Sequence, residues 1–294
     1  MKNLTLILIG TCLASPALAE SIDQTEDADD TGKVEIFNLS GEVEVFGWDR
    51  SEIRVTGTVG DDAEEFIFEV SGDVTTIRVK VPDRIHGHKD VSSDLVIRIP
   101  EGSSIEIDTV SADITVEGVQ GEQELQSVSG DLVTEAFAAD IDAETVSGDV
   151  EVEGSNEDLE AKLESVSGDV ASDSMSGEIK AGSVSGDIDI TDGDFDRARL
   201  ESVNGDITFA AALRSDGKLD VETVNGTVDV MFVGDVSADF DIETFNGRIK
   251  NCFGPEAERT SKYAPGWELS FTEGSGDGRV TIATLNGGLR LCKE

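Results

Sequence analysis

The sequence is poor in aromatic residues, in basic residues and in long apolar runs, and each shortage removes a class of protein. Aromatic residues make up 5% of the chain, with two Trp and one Tyr, which leaves no evident platform for stacking sugars. Lys and Arg number 22 against 63 Asp and Glu, a formal net charge of −41, and this argues against nucleic acid or an anionic membrane as the main partner. Beyond the first nineteen residues no segment approaches the eighteen or so consecutive apolar residues that cross a bilayer. The only two histidines, His86 and His88, share one polar segment, so neither a Ser-His-Asp nor a Cys-His set is supported. A Gly-rich phosphate loop ahead of a helix pattern is also missing.

What the chain does have begins with an export signal. Lys2, the apolar stretch from Leu4 to Leu13 and the small-x-small pattern Ala17-Leu18-Ala19 identify residues 1–19 as a cleaved signal peptide. The stretch is too short for a membrane anchor and is broken by Pro16. Cys12 follows Thr11, bulkier than the residue usual before a lipid-modified cysteine, so a lipoprotein is the lesser reading. The mature chain is expected to be exported, periplasmic or at the cell surface, with no transmembrane segment. It keeps Cys252 and Cys292, an even pair that in an oxidising compartment suggests one disulfide.

Self-similarity is the strongest signal. The motif [S/T]-x-[S/N]-[G/A] recurs with its second position at Val110, Val128, Val146, Val166, Met175, Val184, Val203, Val224, Phe245 and Leu285. The spacings are 18, 18, 20, 9, 9, 19, 21, 21 and 40, so the period is 18 to 21 residues, with one divided coil and one coil carrying an insertion. Before the motif, residues such as Ile141, Ala143 and Thr145 alternate as in a strand; after it, Val150 and Val152 resume the alternation one residue out of phase. A phase slip between two alternating runs means a bend, and the Gly that usually follows takes the backbone angles of a corner at little steric cost. Units of this size bury their apolar rows only by stacking, as ladders between parallel strands about 4.8 Å apart.

The expected fold is therefore all-β: a β-solenoid, or single-stranded β-helix-like stack, with 18–21-residue coils and a meandering β N-terminal cap. An antiparallel sandwich or barrel explains short strands but not the recurrence of residue types. Residues 20–32 are acidic and polar and read as a disordered leader. Residues 33–100 form the cap that covers the open first edge, and residues 101–294 carry the solenoid repeats, with a C-terminal cap insertion at 251–278.

NLSGEVEVFGWD near the start, the S-V-S-G-D series in the middle and GSGDGRVTIATLNGGLRL at the end resemble the bacterial putative-adhesin family of β-strand repeat domains of unknown function. The resemblance covers roughly residues 33–292. It implies a β-solenoid-like fold and a surface-interaction role, and it brings no catalytic or cofactor-binding residues.

Four residue sets are candidates for chemistry. Asp113, Asp131, Asp149, Asp169, Asp187 and Asp206 recur at the third residue after the motif's second position. Stacked carboxylates repel, and Ca²⁺, which prefers oxygen ligands, would relieve them. The competing reading has these Asp residues capping corner amides and facing solvent. A column of Ser111, Ser129, Ser147, Ser167 and Ser185 changes to Asn204, Asn225, Asn246 and Asn286 and reads as structural bonding at the bends, with amide ladders where Asn stacks. His86 and His88 resemble half a transition-metal site, but read as an exposed loop for want of further ligands. Cys252 and Cys292 each lie seven residues beyond a motif position. If those two coils are neighbours, the pair falls within disulfide range, with both residues on the outer face.

These readings converge on an exported, non-enzymatic β-solenoid acting as a cell-envelope scaffold or adhesin-like binding module. Its expected partner is an envelope or surface protein or glycan. The alternatives are a carbohydrate-active β-helix enzyme, a polysaccharide hydrolase or lyase, and a calcium-stabilised surface module.

Overall fold

A computed structural model of the chain describes residues 20–82, 90–261 and 265–294. Every regular element among the described residues is a strand, and no helix there is long and apolar enough to cross a membrane. One coil shows how the sequence builds the rest. In Ile141–Ser147, Ile141, Ala143 and Thr145 are buried, then Val146 and Ser147 both face out. The chain turns, and Val150–Gly154 buries Val150 and Val152 on a second sheet. Both strands pair in parallel with the coils on either side: Ile141 lies opposite Gln123 and Ala161, and Val150 opposite Leu132 and Val170. Two parallel sheets thus face each other across a core of stacked Ile, Val, Leu and Ala, joined along one side by a column of corners.

The corner glycines have a different cause from the expected one. Gly130, Gly148, Gly168, Gly186, Gly205 and Gly226 are not among the residues with positive φ. What excludes a side chain is the approach of the neighbouring coil: a Cβ on Gly168 would lie 1.9 Å from the Gly148 carbonyl oxygen, and one on Gly205 would lie 1.9 Å from that of Gly186. The SMSGE copy also departs from the series. Met175 is 1% exposed, whereas the other motif positions face out. Its segment lies at the opposite turn, where the chain returns to the first sheet as Ser176–Ser185.

Both ends of the stack are closed by chain that doubles back. The strand Lys33–Trp48, placed by sequence in a meandering cap, is itself a coil, parallel to Ser104–Glu117 on one side and to Val74–Lys80 and Ser93–Pro100 on the other. Beyond it, Glu65–Ser71 and Glu52–Val59 add antiparallel edges. Residues 20–27 differ from the disordered leader expected of their composition. Glu20–Asp27 is an antiparallel strand on Glu52–Val59, with Ile22 buried and Asp23 paired with Arg54 at 3.0 Å. One buried aliphatic residue, one ion pair and a full register of backbone bonds supply the order that side-chain composition does not suggest.

At the other end, Gly278–Asn286 slots between Ile207–Asn225 and Ala238–Asn246, parallel to both. Leu289–Lys293 does the same between Val228–Phe232 and Ile249–Asn251. The coil latest in sequence is therefore second from the end in space. A disulfide joins Cys252 of the outer coil to Cys292 of this inserted one, with Cα atoms 4.8 Å apart. Cys252 is exposed but Cys292 is 8% exposed, so the two do not share an open outer face. Trp267–Glu273, from the 251–278 segment, covers the last strand in antiparallel fashion. Under it the core turns aromatic, with Phe195, Phe209, Phe232 and Phe240 at successive centroid distances of 5.8 to 6.0 Å and Phe271 stacked on Phe240 at 4.5 Å.

Candidate functional site

The phase slip at each corner has a consequence on the outside of the stack. The first motif residue, Ser or Thr, is buried, and in several coils its hydroxyl donates to a glycine carbonyl of the neighbouring coil, as Ser165 does to Gly148 at 2.9 Å and Ser183 to Gly168 at 3.0 Å. The next residue must then point out. Nine such residues, Val110, Val128, Val146, Val166, Val184, Val203, Val224, Leu285 and Phe245 in spatial order, are 39% to 51% exposed. At the strand repeat they form an apolar stripe roughly 40 Å long.

Two residues earlier on the same outward phase stands a second column, which includes Asp108, Glu144, Glu164, Glu201, Glu222 and Glu243. The column and the stripe from Val128 onwards line a groove of about 1160 Å³, with Thr260 and Gly266 of the covering segment at its Phe245 end. Lysines and an arginine neutralise its middle. Lys162 is paired with Glu144 and lies 3.8 Å from Glu164, Lys180 meets Glu164 at 2.5 Å, and Arg199 donates to Glu201 at 2.5 Å. Exposed pairs of this kind each contribute about 0–1 kcal/mol, so their main effect is on local charge. Glu222 and Glu243 make no salt bridge among the described residues. At the opposite end, burial and then the neighbouring Glu106 charge push the Asp108 carboxyl above its ordinary pKa, and Arg78 opposes them.

The aspartate column lies at the corner and is knitted together. Asp113 Oδ1 accepts the backbone N–H of Asp131 at 3.0 Å, and Asp131, Asp149, Asp169 and Asp187 accept in turn from the next coil's Asp at 2.7 to 2.9 Å. Asp206 ends the series on Thr227 N–H at 2.6 Å. Each carboxylate thus caps an amide of the following coil rather than of its own corner. Among the described residues no group of three or more His, Cys, Asp or Glu side chains converges as a metal site would require.

The asparagine column forms an amide ladder. Asn225 donates to Asn204, Asn286 to Asn225 and Asn246 to Asn286, each at 2.9 Å. Its order, 204, 225, 286 and 246, records the inserted coil. His86 and His88 lie outside the described residues, as do residues 1–19.

The apolar stripe is the feature that reading the residues one repeat at a time passes over. Its signal is an aliphatic residue held at the outward phase in copy after copy, where a solvated position would carry polar residues.

Comparison with curated proteins finds no match. Among solved structures, a protein from Parabacteroides distasonis described as a putative lipid binding protein is similar over 92% of this chain and 96% of its own, at 12% identity and a TM-score of 0.52. A putative adhesin from Bacteroides fragilis is similar over 92% of this chain and 97% of its own, at 11% identity and a TM-score of 0.49. At such identities the first likeness speaks for the fold alone. The model of one family, described as Toastrack DUF4097, matches residues 29–183 and 171–291, and the chain belongs to that family.

Proposed function

We propose that the protein is an exported, non-enzymatic binding module of the cell envelope that receives a partner protein along its groove. The observation that carries this reading is the stripe of nine exposed apolar side chains flanked by carboxylates. Solvated surfaces scatter such residues singly, and contiguous stripes belong to interaction sites. Charge selects the partner: apolar side chains for the stripe, and basic ones for Glu222, Glu243 and the rest of a molecule of net charge −41. Export rests on the sequence of residues 1–19. Against a polysaccharide hydrolase or lyase stands the layout of the groove's carboxylates: Glu144, Glu164 and Glu201 are tied to cations, and the raised Asp108 lies six coils, roughly 30 Å at the strand repeat, from the unpaired Glu222, so this raised acid has no free base across from it.

The test is a titration with a peptide alternating Leu and Lys, against one alternating Leu and Glu. The Lys peptide is expected to bind. Replacing Val166, Val184 and Val203 together by Ser is expected to weaken it at least about tenfold, since trading a valine side chain for a hydroxyl at each position removes apolar surface worth on the order of 0.5–1 kcal/mol. Equal binding of the Glu peptide, or an unaffected triple variant, overturns the reading.

The aspartate column serves this module as a hydrogen-bonded spine in our reading, with calcium as the competing proposal. At fixed ionic strength, millimolar Ca²⁺ and Mg²⁺ are expected to give the same melting temperature. A calcium-specific rise establishes a metal ladder instead.

A further inference from the structure

The column that carries Asp through six coils changes at the end of the stack. Passing along the outer coils it reads Thr227, Gly288 and Arg248, and Arg248 makes no ion pair among the described residues. The covering segment places a second arginine beside it. Arg259 lies opposite Trp267 across the short antiparallel pairing, with its guanidinium carbon 5.0 Å from the indole centroid. Arg248, Arg259, Trp267 and Asn246 line a pocket of about 630 Å³, with Ile249 and Pro265 completing its wall. This is the size of an ordinary small-molecule pocket.

Three details give the pocket a chemical preference. Strand alternation sends Glu258 and Glu268, which are opposite each other, to the other face from Arg259 and Trp267. Among the described residues the pocket's lining therefore holds two arginines and no carboxylate, on a chain whose other charges are overwhelmingly negative. Asn246 ends the amide ladder: its amide donates to Asn286, and among the described residues no donor meets its Oδ1. The half-buried indole of Trp267 offers a flat apolar wall.

We propose that this pocket binds a sugar acid, a single uronate unit. Its carboxylate would take the fork of N–H donors that arginine presents to planar anions. The sugar ring would pack beside the indole that already carries the Arg259 guanidinium over its face, and a hydroxyl would donate to Asn246 Oδ1. A singly charged carboxylate suits the site better than a phosphate group, because the field of the whole molecule opposes each added negative charge. The long-range part of that field is screened beyond about 8 Å at physiological salt, so the two arginines decide the contact. The site is separate from the groove, and the proposal does not rest on what the groove binds.

The test uses the full chain carrying Trp48→Phe, in which Trp267 is the remaining indole, titrated with free galacturonate while its fluorescence is followed. Saturable quenching is expected, weakened about tenfold or more by Arg248→Ala and by Arg259→Ala, and less by Arg248→Lys, with thermal unfolding of each variant compared to show that the fold is kept. A neutral malto-oligosaccharide is expected to bind far more weakly, and inorganic phosphate no better than free galacturonate. Absence of saturation by about 10 mM, equal binding of the neutral oligosaccharide, tighter binding of phosphate, or indifference to both alanine variants in a folded protein overturns the proposal.

Discussion

A single methyl group has opposite consequences at two glycines of neighbouring coils. At Gly168 an added Cβ would stand 1.9 Å from the Gly148 carbonyl oxygen, so backbone must move. At Gly182 it would meet nothing closer than 3.9 Å, and φ there is not positive. Gly168→Ala is expected to destabilise the protein by about 1–3 kcal/mol or more, as overpacking does. Gly182→Ala is expected to be neutral or to stabilise by about 0.4–1 kcal/mol by restricting the unfolded chain, and urea unfolding of the pair checks both signs. Asp108 gives a second test at this scale. Its carboxyl is held above the unfolded pKa by burial, so its charge costs stability at neutral pH, and the cost is relieved as pH falls through the folded pKa. Asp108→Asn is expected to raise the melting temperature at pH 7, and the gain should vanish once pH lies below the ordinary carboxylate range. A gain that persists in acid would mean that shape, not charge, explains it.

Among the elements, strand alternation and the slip at each motif are readable directly from residues such as Ile141, Ala143, Val150 and Val152, because burial on either side of a corner leaves its period in the chain. The order of coils is not readable. Residues 219–225, 238–246 and 279–286 carry the same residue types at the same offsets, so each fits beside either of the others, and only the assembled stack selects one arrangement. Glu20–Asp27 escapes composition for a related reason, since what orders it is the waiting edge of Glu52–Val59. The apolar stripe becomes visible only when outward residues of successive coils are set side by side. The Cys pair is the exception, since equal offsets of Cys252 and Cys292 announce neighbouring coils whichever lies outside. Their disulfide closes a separation of 40 residues, for which loop entropy gives about 3–4 kcal/mol. Cys252→Ser with Cys292→Ser is expected to lose stability of that order in denaturant unfolding, and reductant should do the same to the native pair. A loss below about 1 kcal/mol would mean that pairing of the inserted coil suffices without the bond.

For the molecule as a whole, repeat stacks are approximately sums of coils and of the interfaces between neighbours, but the two ends here break that arithmetic. Removing residues 276–294 takes away an interior member rather than a terminal one, and strips Ala238–Asn246 and Ile249–Asn251 of a parallel partner. The truncated chain is expected to lose hydrogen-exchange protection over residues 233–275, while residues 104–200 keep theirs. Retained protection throughout would mean that the outer coil reseats directly on Ile207–Asn225. The same arrangement governs the order in which the stack can be completed as an exported chain emerges. Strand Ala238–Asn246 emerges on the far side of the membrane 40 residues ahead of the strand it must lie against, as the register of Ala238 with Gly278 shows. Its nearest available partner at that moment is the Lys218–Asn225 edge, the place reserved for residues 279–286. Folding must therefore either keep this coil from docking or let it dock and be displaced. On either route the inner place goes to the segment that emerges later, and Ala238–Asn246 must wait for it or give way to it.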